Sequence, residues 1–431
     1  MEHKTINIKV PVLARVEGEG ALELAIQNNR ITDLKLNIYE PPRFFEKFLE
    51  GRSQHEVIDI VARICGICPV AYQMSAVHAI ESILQISPGP WVRAMRRLMY
   101  CGEWIESHAL HIHLLAAPDY LGFDSALSMA EQYPAEVRRG LRLQNLGNQI
   151  IRLLGGRSVH PIGVRVGGFH HAPTIKEIER LKQDLIAART EAQALISWTA
   201  SLEFPDDEQD FTSVALQHPD EYPMNEGRII ASDGLDIDIS EYQQHFAETH
   251  VAHSTALHSH LHGAPYLVGP LARLNLNHQQ IPANILALAD QAGIRFPSRN
   301  MFHSIVARAV EIAYALEEAI RLLNAYSPTS QPYVAAEAAA GTGFGCTEAP
   351  RGILWHRYDL DDKGNVTKAI IVPPTSQNQA RIEQDLRWAL EKSGLDNDEH
   401  TLRLLGEKVI RNYDPCISCS THFLKIHVTR T

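Results

Sequence analysis

Four cysteines of this chain form two Cys-x-x-Cys pairs at opposite ends of the sequence. Cys65 and Cys68 lie in "RICGICPVAY", whereas Cys416 and Cys419 lie in "YDPCISCSTH". Two thiolates separated by two residues can hold one metal ion, and two such pairs supply a tetrathiolate site. If the fold brings both pairs together, these residues predict a metal centre.

The cysteine pattern alone also allows other chemistry. A structural zinc ion is one alternative, although most small zinc sites close a loop of tens of residues rather than a whole chain. A redox-active disulfide is a second alternative, but it favours a single pair beside a βαβ unit, which the pattern of this chain does not predict. Spacing by itself leaves the choice open.

The N-terminal part of the chain has the alternation of β-strands. Apolar and polar residues alternate in three segments over residues 6–39, and "QNNR" supplies a hairpin turn between two of them. A second hairpin is predicted over 352–372, with its turn at "DDKGN". We therefore predict small antiparallel elements at the edges of the fold.

Most of the remaining sequence has helical periodicity. Apolar residues recur three and four positions apart, which predicts long helices over 91–116 and 135–154 and another that follows an N-cap at Thr174. The pattern predicts an α+β fold, mainly α with small β elements. We expect a single domain, with a β-rich part over 1–53 and a helical core over 54–422.

Composition excludes several functional classes. The chain has 431 residues, of which 45% are hydrophobic and 21% charged, as in a globular protein with a substantial core. A net charge of −11 argues against nucleic-acid binding, which needs a concentrated basic surface. No apolar run reaches the length of about 18 residues that a membrane span needs, and "MEHKTINIKVPV" lacks the features of a secretory signal.

Further short motifs accompany the cysteine pairs in a fixed order. They are "ARVEGEG" (14–20), "PRFFE" (42–46), "ESHALHIHLLAAPDY" (106–120), "TEAPRGIL" (347–354) and "VPPT" (372–375). Together with "RICGIC" and "DPCISC" they resemble the large subunit of the nickel-iron hydrogenases over essentially the whole chain. The resemblance implies that family's fold, a long-helix core with N-terminal antiparallel strands and short hairpins. It also implies reversible cleavage of dihydrogen to protons and electrons.

The resemblance implies a nickel-iron centre held by all four cysteines. Cys68 and Cys419 would bridge nickel to an iron that carries carbon monoxide and cyanide, leaving Cys65 and Cys416 as terminal ligands. Soft thiolates suit such a centre. Dihydrogen is a very weak acid, so its cleavage also needs a base beside the metal. Cys416 would take the proton, and Glu17 of "RVEG" would accept it next.

The resemblance also assigns roles to residues around the centre. The guanidinium of Arg351, in "EAPRG", would lie over the open position of nickel, and Pro350 would hold its loop. Asp119 and Asp414 would be its acidic partners, because a buried arginine must be compensated. A surface salt bridge is the ordinary alternative for Arg351, and a helix-end cap is the ordinary alternative for Asp119.

Further expectations concern iron and the C-terminal part of the chain. Thr375 would donate a hydrogen bond to a cyanide, which Pro374 would also contact. Glu46 and His422 would bind magnesium or ferrous iron at a second metal site. A dedicated maturation protease would remove Phe423–Thr431 once nickel has entered.

Tyr72 departs from the pattern of the resembled family. Many members of that family have histidine four residues after the second cysteine. The Tyr72 hydroxyl could instead donate to the sulfur of Cys68.

A cluster of histidines follows later in the chain. Because its spacings fit no single ligand geometry, we interpret it as structural. Its members are His245, His250, His253, His258, His260 and His262.

The predicted reaction requires partner subunits. Iron-sulfur clusters need about three or four cysteines each, and only Cys101 and Cys346 remain after four bind nickel. An iron-sulfur small subunit must therefore receive the electrons. The motifs look most like those of cytoplasmic NAD(P)-linked members, which implies flavin- and NAD(P)-binding diaphorase subunits and a cytoplasmic location. One alternative is a metal-free, quinone-site or scaffold subunit of the related respiratory complex I, which lacks the nickel cysteines. A zinc-stapled structural protein is another.

Overall fold

The computed structural model describes residues 5–421 of the chain. His422 and the segment 423–431 lie outside the described residues, so the expectations about them stay predictions. The described part contains fifteen α-helices and thirteen short strands, which confirms the predicted α+β class. Within residues 5–421, no helix is both long enough and apolar enough to cross a membrane.

The strands form five small antiparallel sheets in the order β1-β2-β3, β4-β5, β6-β7-β8, β9-β10 and β11-β12-β13. Their bounds are β1 Thr5–Val10, β2 Gly20–Gln27, β3 Arg30–Ile38, β4 Val164–Arg165, β5 Gly168–Phe169, β6 Val214–Gln217, β7 Arg228–Ala231, β8 Asp236–Ile237, β9 Phe246–Thr249, β10 His258–Leu261, β11 Gly341–Ala349, β12 Gly352–Leu360 and β13 Val366–Val372.

The helices supply most of the buried core. Their bounds are α1 Phe45–Leu49, α2 Gln54–Val61, α3 Pro69–Leu84, α4 Gly89–Leu110, α5 Ala117–Leu121, α6 Ala126–Gln132, α7 Pro134–Gly155, α8 Ile175–Ala200, α9 Tyr242–His245, α10 Pro270–Asn277, α11 Ala283–Gln291, α12 Ser304–Asn324, α13 Pro374–Ser393, α14 Glu399–Asn412 and α15 Ile417–Ser420. The helix α8 begins after Thr174, whose hydroxyl accepts from the amide of Glu177, as predicted.

The helix predicted over 91–116 is interrupted in the structure. It consists of α4, a π-helical segment His111–Ala116 and α5, in that order. Pro118 follows the π segment, and its missing N–H and its ring disrupt the normal hydrogen-bond ladder there. The widened turns lie in the motif "ESHALHIHLLAAPDY", beside the predicted site.

Both predicted hairpins are confirmed. The turn between β2 and β3 uses Asn28 and Asn29, which have φ values of 52° and 57°, as a two-residue hairpin turn requires. The strand β11, however, was not expected from the sequence. A Cβ at Gly343 would lie 2.0 Å from the Ala79 carbonyl oxygen, and one at Gly345 would lie 2.0 Å from that of Ser75. These glycines therefore let β11 pack directly against the backbone of α3.

The packing of α3 and β11 positions two motifs of the candidate site. The first cysteine pair immediately precedes α3, and "APRG" is the turn between β11 and β12. The helices α4 and α12 pass behind them, and nearly every residue of α12 is buried. The buried helices thus form a rigid support for the two loops.

Candidate metal centre

The four predicted cysteines come together in one buried cluster. All four Sγ atoms lie within 4.8 Å of one another. The distances are 3.5 Å for Cys65–Cys416, 3.7 Å for Cys68–Cys419 and 2.7 Å for Cys416–Cys419. None of the four forms a disulfide. The fold therefore brings together the donor set that a thiolate-bound metal centre requires.

Local helix starts hold each pair. Cys68 is the N-cap of α3 and precedes Pro69, which is well suited to the first helical position. The amides of Ile67 and Cys68 both lie 3.3 Å from the Cys65 sulfur, so the loop curls around that atom. Cys416 is likewise the N-cap of α15, which carries Cys419. The two amides at the start of α3 favour negative charge on the Cys65 sulfur.

The cluster needs positive charge to hold several thiolates. Each thiol is at most 3% exposed, and burial raises the pKa of Cys416. Hydrogen bonding from the neighbouring thiols, above all that of Cys416, instead lowers the pKa of Cys65. Four adjacent thiolates cannot all be charged in a buried site without cations. A bound metal and a nearby arginine meet that need, so the donor set fits a soft metal ion.

Glu17 contacts the cluster from its more open side. Its Oε2 accepts from the Cys416 thiol at 3.1 Å and from the Ser418 amide at 3.1 Å, and its carbonyl accepts from the Ile417 amide at 2.9 Å. Gly18 has a φ of 89°, and a Cβ there would lie 2.7 Å from the Ile417 Cβ. Glycine thus permits this loop to lie against α15, and Glu17 itself is half-buried.

Arg351 lies beside the cluster and is fully buried. Its Nε donates to the Asp414 carbonyl at 2.6 Å and its Nη2 donates to the Asp414 carboxylate at 3.1 Å. Its Nη1 is buried without a hydrogen-bond partner among the described residues. Although burial opposes it, the Asp414 carboxylate and then the sulfurs of Cys416, Cys68 and Cys65 raise the pKa of Arg351. An unpaired donor beside the sulfurs is available for a group bound there.

Asp414 is held between two arginines. Arg308 on α12 donates to its second oxygen at 3.4 Å. Although burial opposes ionisation, Arg351, His111 and Arg308 together lower the pKa of Asp414. Its φ of 52° is one that aspartate tolerates better than most residues do. Asp414 is therefore a charged carboxylate that fixes the direction of the Arg351 guanidinium.

The expected pairing of Asp119 with Arg351 is wrong. Within residues 5–421, the carboxylate of Asp119 pairs with Arg15 and Arg411 instead. Arg411 donates to it through Nε at 2.6 Å and Nη2 at 2.9 Å, a bidentate arrangement. Asp119 thus ties α5 to α14 and to the N-terminal loop. Two guanidiniums already neutralise it, so Arg351 relies on Asp414.

Thr375 and the two prolines line the region next to the cysteines. The Thr375 hydroxyl is buried and accepts from the Cys416 amide at 3.0 Å, which leaves its own hydrogen available to donate. Pro374 is the first residue of α13. Pro350 is buried in the β11–β12 turn, where its carbonyl accepts from Arg273 at 3.2 Å.

Glu46 lies near the last described residues of the chain. Its Oε1 accepts from the Ile371 amide at 2.7 Å. Three residues earlier, the Arg43 amide donates to the Thr421 carbonyl at 2.6 Å, and its guanidinium donates to the carbonyl of Ser418. The segment 42–46 is therefore bound to the residues that immediately precede His422, the second predicted ligand, which lies outside the described residues.

Tyr72 is buried beside the cluster. Burial raises the pKa of its phenol, and the sulfurs of Cys419 and Cys68 raise it further, so the phenol stays protonated. The hydrogen bond expected between its hydroxyl and Cys68 is not formed among the residues that the structure describes.

Sequence reasoning missed several charged residues around the centre. Arg308 and Glu311 on α12 are fully buried, and so is His108 on α4. His108 Nδ1 lies 3.3 Å from Arg308 Nη1, and His108 Nε2 lies 2.8 Å from Glu311 Oε2. Glu103 accepts from the first amides of α3, and burial raises its pKa. Charged residues within the otherwise apolar "SIVARAVEIAYALEEAI" were the available indication.

The histidine cluster divides into separate groups in the structure. His245 Nδ1 lies 2.9 Å from His262 Nε2 at one end of it. At the other end His253 and His258 lie together beside Glu383 of α13. The contact between His245 and His262 is consistent with the predicted structural role. The group of His253 and His258 differs from that pair because it includes a carboxylate, that of Glu383.

Known proteins share both the sequence and the architecture of this chain. The family model for the nickel-dependent hydrogenases matches residues 43–139 and 238–422. The alpha subunit of sulfhydrogenase 1 from Pyrococcus furiosus is 36% identical, over 99% of this chain and 100% of that subunit. The beta subunit of the NAD-reducing hydrogenase HoxS from Cupriavidus necator is 29% identical over 96% of this chain and 94% of its own length.

A solved structure gives the same result at the level of the fold. The crystal structure of an NAD+-reducing [NiFe]-hydrogenase in its H2-reduced state superposes with a TM-score of 0.87 at 26% identity, over 97% of this chain and 99% of that one. The buried cysteine cluster lies within the residues that the family model matches. This chain belongs to the nickel-dependent hydrogenase family and is a catalytic subunit of such an enzyme.

Proposed function

We propose that the four cysteines hold a nickel-iron centre at which this subunit cleaves and forms dihydrogen reversibly. Cys65, Cys68, Cys416 and Cys419 would be its thiolate ligands, with Cys68 and Cys419 as the pair that would be shared with iron. When bound, the centre supplies the Lewis acid that polarises dihydrogen. The convergence of four buried thiols from two distant segments carries this proposal.

Glu17 receives the proton that leaves the centre. Its Oε2 lies 3.1 Å from the Cys416 sulfur, within reach for direct transfer from a protonated thiol. Glu17 is half-buried whereas Cys416 is only 1% exposed, so the carboxyl lies between the cluster and the outside. Cys416 acts as the base at the centre, and Glu17 relays the proton outward.

Arg351 holds its free Nη1 toward the space beside the sulfurs. Two hydrogen bonds to Asp414 fix the other nitrogens, so the orientation of the guanidinium is set before dihydrogen arrives. Thr375 would donate its hydroxyl hydrogen to a cyanide on iron, which Pro374 would also contact. Burial of both residues supports a water-free site for these diatomic ligands.

Glu46 and His422 would hold a second metal, magnesium or ferrous iron. Support comes from the contacts of Arg43 with Ser418 and Thr421, which bring the segment of Glu46 to the residues before His422.

A maturation protease removes Phe423–Thr431 after metal loading. Intact-mass measurement on nickel-loaded, active enzyme tests this step: a chain that ends at His422 supports it, and a mass that includes Phe423–Thr431 contradicts it.

Electrons leave through an iron-sulfur small subunit and pass to flavin- and NAD(P)-binding diaphorase subunits in the cytoplasm. The names of the relatives support this arrangement, since they are subunits of a sulfhydrogenase and of an NAD-reducing hydrogenase. Copurification tests it directly. Reduction of NAD+ or NADP+ by dihydrogen in the purified complex, together with bound flavin, is the expected result.

Metal analysis with infrared spectroscopy tests the centre itself. We expect a nickel atom in each chain and bands of metal-bound carbon monoxide and cyanide in the purified complex. Substitution of Cys68 by serine should remove both. Full hydrogenase activity in nickel-free protein, or zinc without nickel at the cysteines, would overturn the proposal.

A further inference from the structure

A second group of metal-binding side chains lies away from the cysteine cluster. His253 precedes β10, His258 begins it, and Glu383 lies on α13. Each offers one ligand atom, and these atoms lie within 4.8 Å of one another. His253 Nε2 is 2.7 Å from Glu383 Oε1, and the two imidazole rings are nearly perpendicular, with centroids 5.8 Å apart.

A hydrogen-bonded pair explains only two of these residues. His253 and Glu383 satisfy each other, and the Leu36 amide donates to the same carboxylate oxygen at 2.9 Å. His258 is only 3% exposed, yet its Nε2 is buried without a hydrogen-bond partner among the described residues. An unpaired buried ring nitrogen is costly, and most such atoms have a partner. The geometry therefore points to a ligand that the three side chains share.

The donor set selects the class of ion. Two imidazole nitrogens and one carboxylate oxygen suit Zn²⁺, which takes three protein ligands and a water in many sites. Calcium and magnesium prefer oxygen donors alone. Burial, together with the neighbouring imidazoles of His253, His260 and His250, lowers the pKa of His258 to about 4. Its ring is thus neutral near pH 7, the form that binds metal.

We propose that His253, His258 and Glu383 form a Zn²⁺ site that ties α13 to β10. The side chains of His253 and Glu383 are 21% and 20% exposed, which gives the ion an entry path and leaves a position for water. The Leu36 amide orients the carboxylate from β3, as outer partners of metal ligands do. The ion would crosslink α13, β10 and the loop before β10, which carries His253.

The site has a structural consequence for the cysteine cluster. The helix α13 begins at Pro374 and Thr375, and the Thr375 hydroxyl contacts the Cys416 amide. An ion bound to Glu383 limits the movement of this helix relative to β10. This ion is separate from the metal of the cysteine cluster, and its binding does not depend on which metal the cysteines hold.

The test uses the purified, nickel-loaded complex, so that its cysteines are already occupied. It is treated with a mild chelator and titrated with ZnCl₂ by calorimetry, and Co²⁺ absorption serves as a second readout of coordination. After chelation, we expect the wild-type protein to bind one Zn²⁺ ion in each chain. Addition of Zn²⁺ should raise the midpoint temperature of thermal unfolding. His258→Ala and Glu383→Gln should each weaken binding at least tenfold and abolish that increase.

A matched control is available in the same cluster. The double variant His245→Ala with His262→Ala removes two neighbouring histidines that contact each other but not Glu383 in the described contacts. It should bind Zn²⁺ as tightly as the wild type does. Because His258→Ala could perturb packing, Glu383→Gln keeps the shape of the carboxylate and provides an independent test. The proposal would be overturned if both ligand variants bound Zn²⁺ as tightly as the wild type. It would also be overturned if only the control lost binding, or if the wild type bound no Zn²⁺.

Discussion

The two sides of the cysteine cluster are built in different ways. On one side Glu17, from a surface loop, meets the Cys416 thiol and is half-buried. On the other side Arg351 is fixed by Asp414, which Arg308 also contacts, and all three side chains are at most 3% exposed. A carboxyl near solvent can exchange protons, whereas a buried ion network holds charge in place. The site thus separates proton movement from charge positioning.

Breaking the buried side should have the largest effect. Asp414→Asn removes the carboxylate shared by Arg351 and Arg308 and leaves two buried guanidiniums without their counter-charge. We expect loss of hydrogenase activity and a free energy of unfolding lowered by about 3–5 kcal/mol, measured by urea unfolding of the complex. A matched Asp236→Asn change breaks an exposed pair with Arg228, which solvent screens, and should leave the free energy of unfolding nearly unchanged. Equal stabilities of the two variants would contradict this account.

Breaking the exchange side should slow turnover without unfolding the protein. Glu17→Gln keeps the shape and the acceptor oxygen but cannot carry a proton. We expect unchanged nickel content and stability, with hydrogen–deuterium exchange slowed by about 10²–10⁴-fold. Glu19→Gln, an exposed neighbour in the same loop, is the control and should exchange at the wild-type rate. Wild-type exchange in the Glu17 variant would remove this residue from the proton path.

Replacing the Arg351 guanidinium by an ammonium group should have a smaller effect on the buried side than removing the Asp414 carboxylate. Arg351→Lys keeps one positive charge but loses the fork that binds Asp414 and aims Nη1. We expect retained nickel and a fall in activity of about 10²–10³-fold, as when one preorganised donor is removed. Arg357→Lys, on the neighbouring strand β12, should leave activity unchanged. Normal turnover in the Arg351 variant would show that its role is structural only.

The pH dependence of stability reports on the network behind Arg308. Since the Arg308 guanidinium donates to Nδ1 of His108, the proton of the neutral ring must be on Nε2, which donates to Glu311. Burial lowers the pKa of His108 to about 4, below an ordinary value of 6.5. As the pH decreases, the His108 ring of the unfolded chain is therefore protonated before that of the folded chain. The free energy of unfolding falls as the pH decreases from about 6.5 to 4.

The variant His108→Gln isolates this contribution. Its amide still donates to Glu311 but does not titrate, so the unfolding free energy should change less steeply over that pH window. Activity at neutral pH should stay close to wild type. The buried groups that face His108 are Glu311, Arg308 and Arg273, and none of them changes in the variant. An unchanged slope in denaturant unfolding from pH 6.5 to 4 would assign the proton elsewhere.

The sequence predicted the two sides of the site unequally. The cysteines, Glu17 and Arg351 lie in short motifs, so their convergence followed from the resemblance. The partner of Arg351 was only half predicted, because Arg15 and Arg411 also lie near Asp119 and only the tertiary arrangement decides which guanidinium reaches it. Arg308 carries no local motif at all. Charge pairing across distant elements is a property of packing that short motifs do not encode.

The fold was predictable to a similar degree. Periodicity gave the α+β class, the Thr174 cap and both hairpins. Strand β11 was missed because its glycines weaken a strand pattern, whereas in the structure they allow close contact with α3. The histidine site was missed because Glu383 lies 130 positions from His253. Residues that meet only after folding leave no periodic pattern.

The separation of the two cysteine pairs has a consequence during translation. Cys65 and Cys416 are 351 positions apart, so the first pair is synthesised long before its partners. At about 5–20 residues per second, the delay is on the order of tens of seconds. During that time a nascent chain offers only two of the four thiols of the cluster, and any soft ion can occupy them. Selection of the correct metal must therefore wait until the ribosome has also made the second cysteine pair.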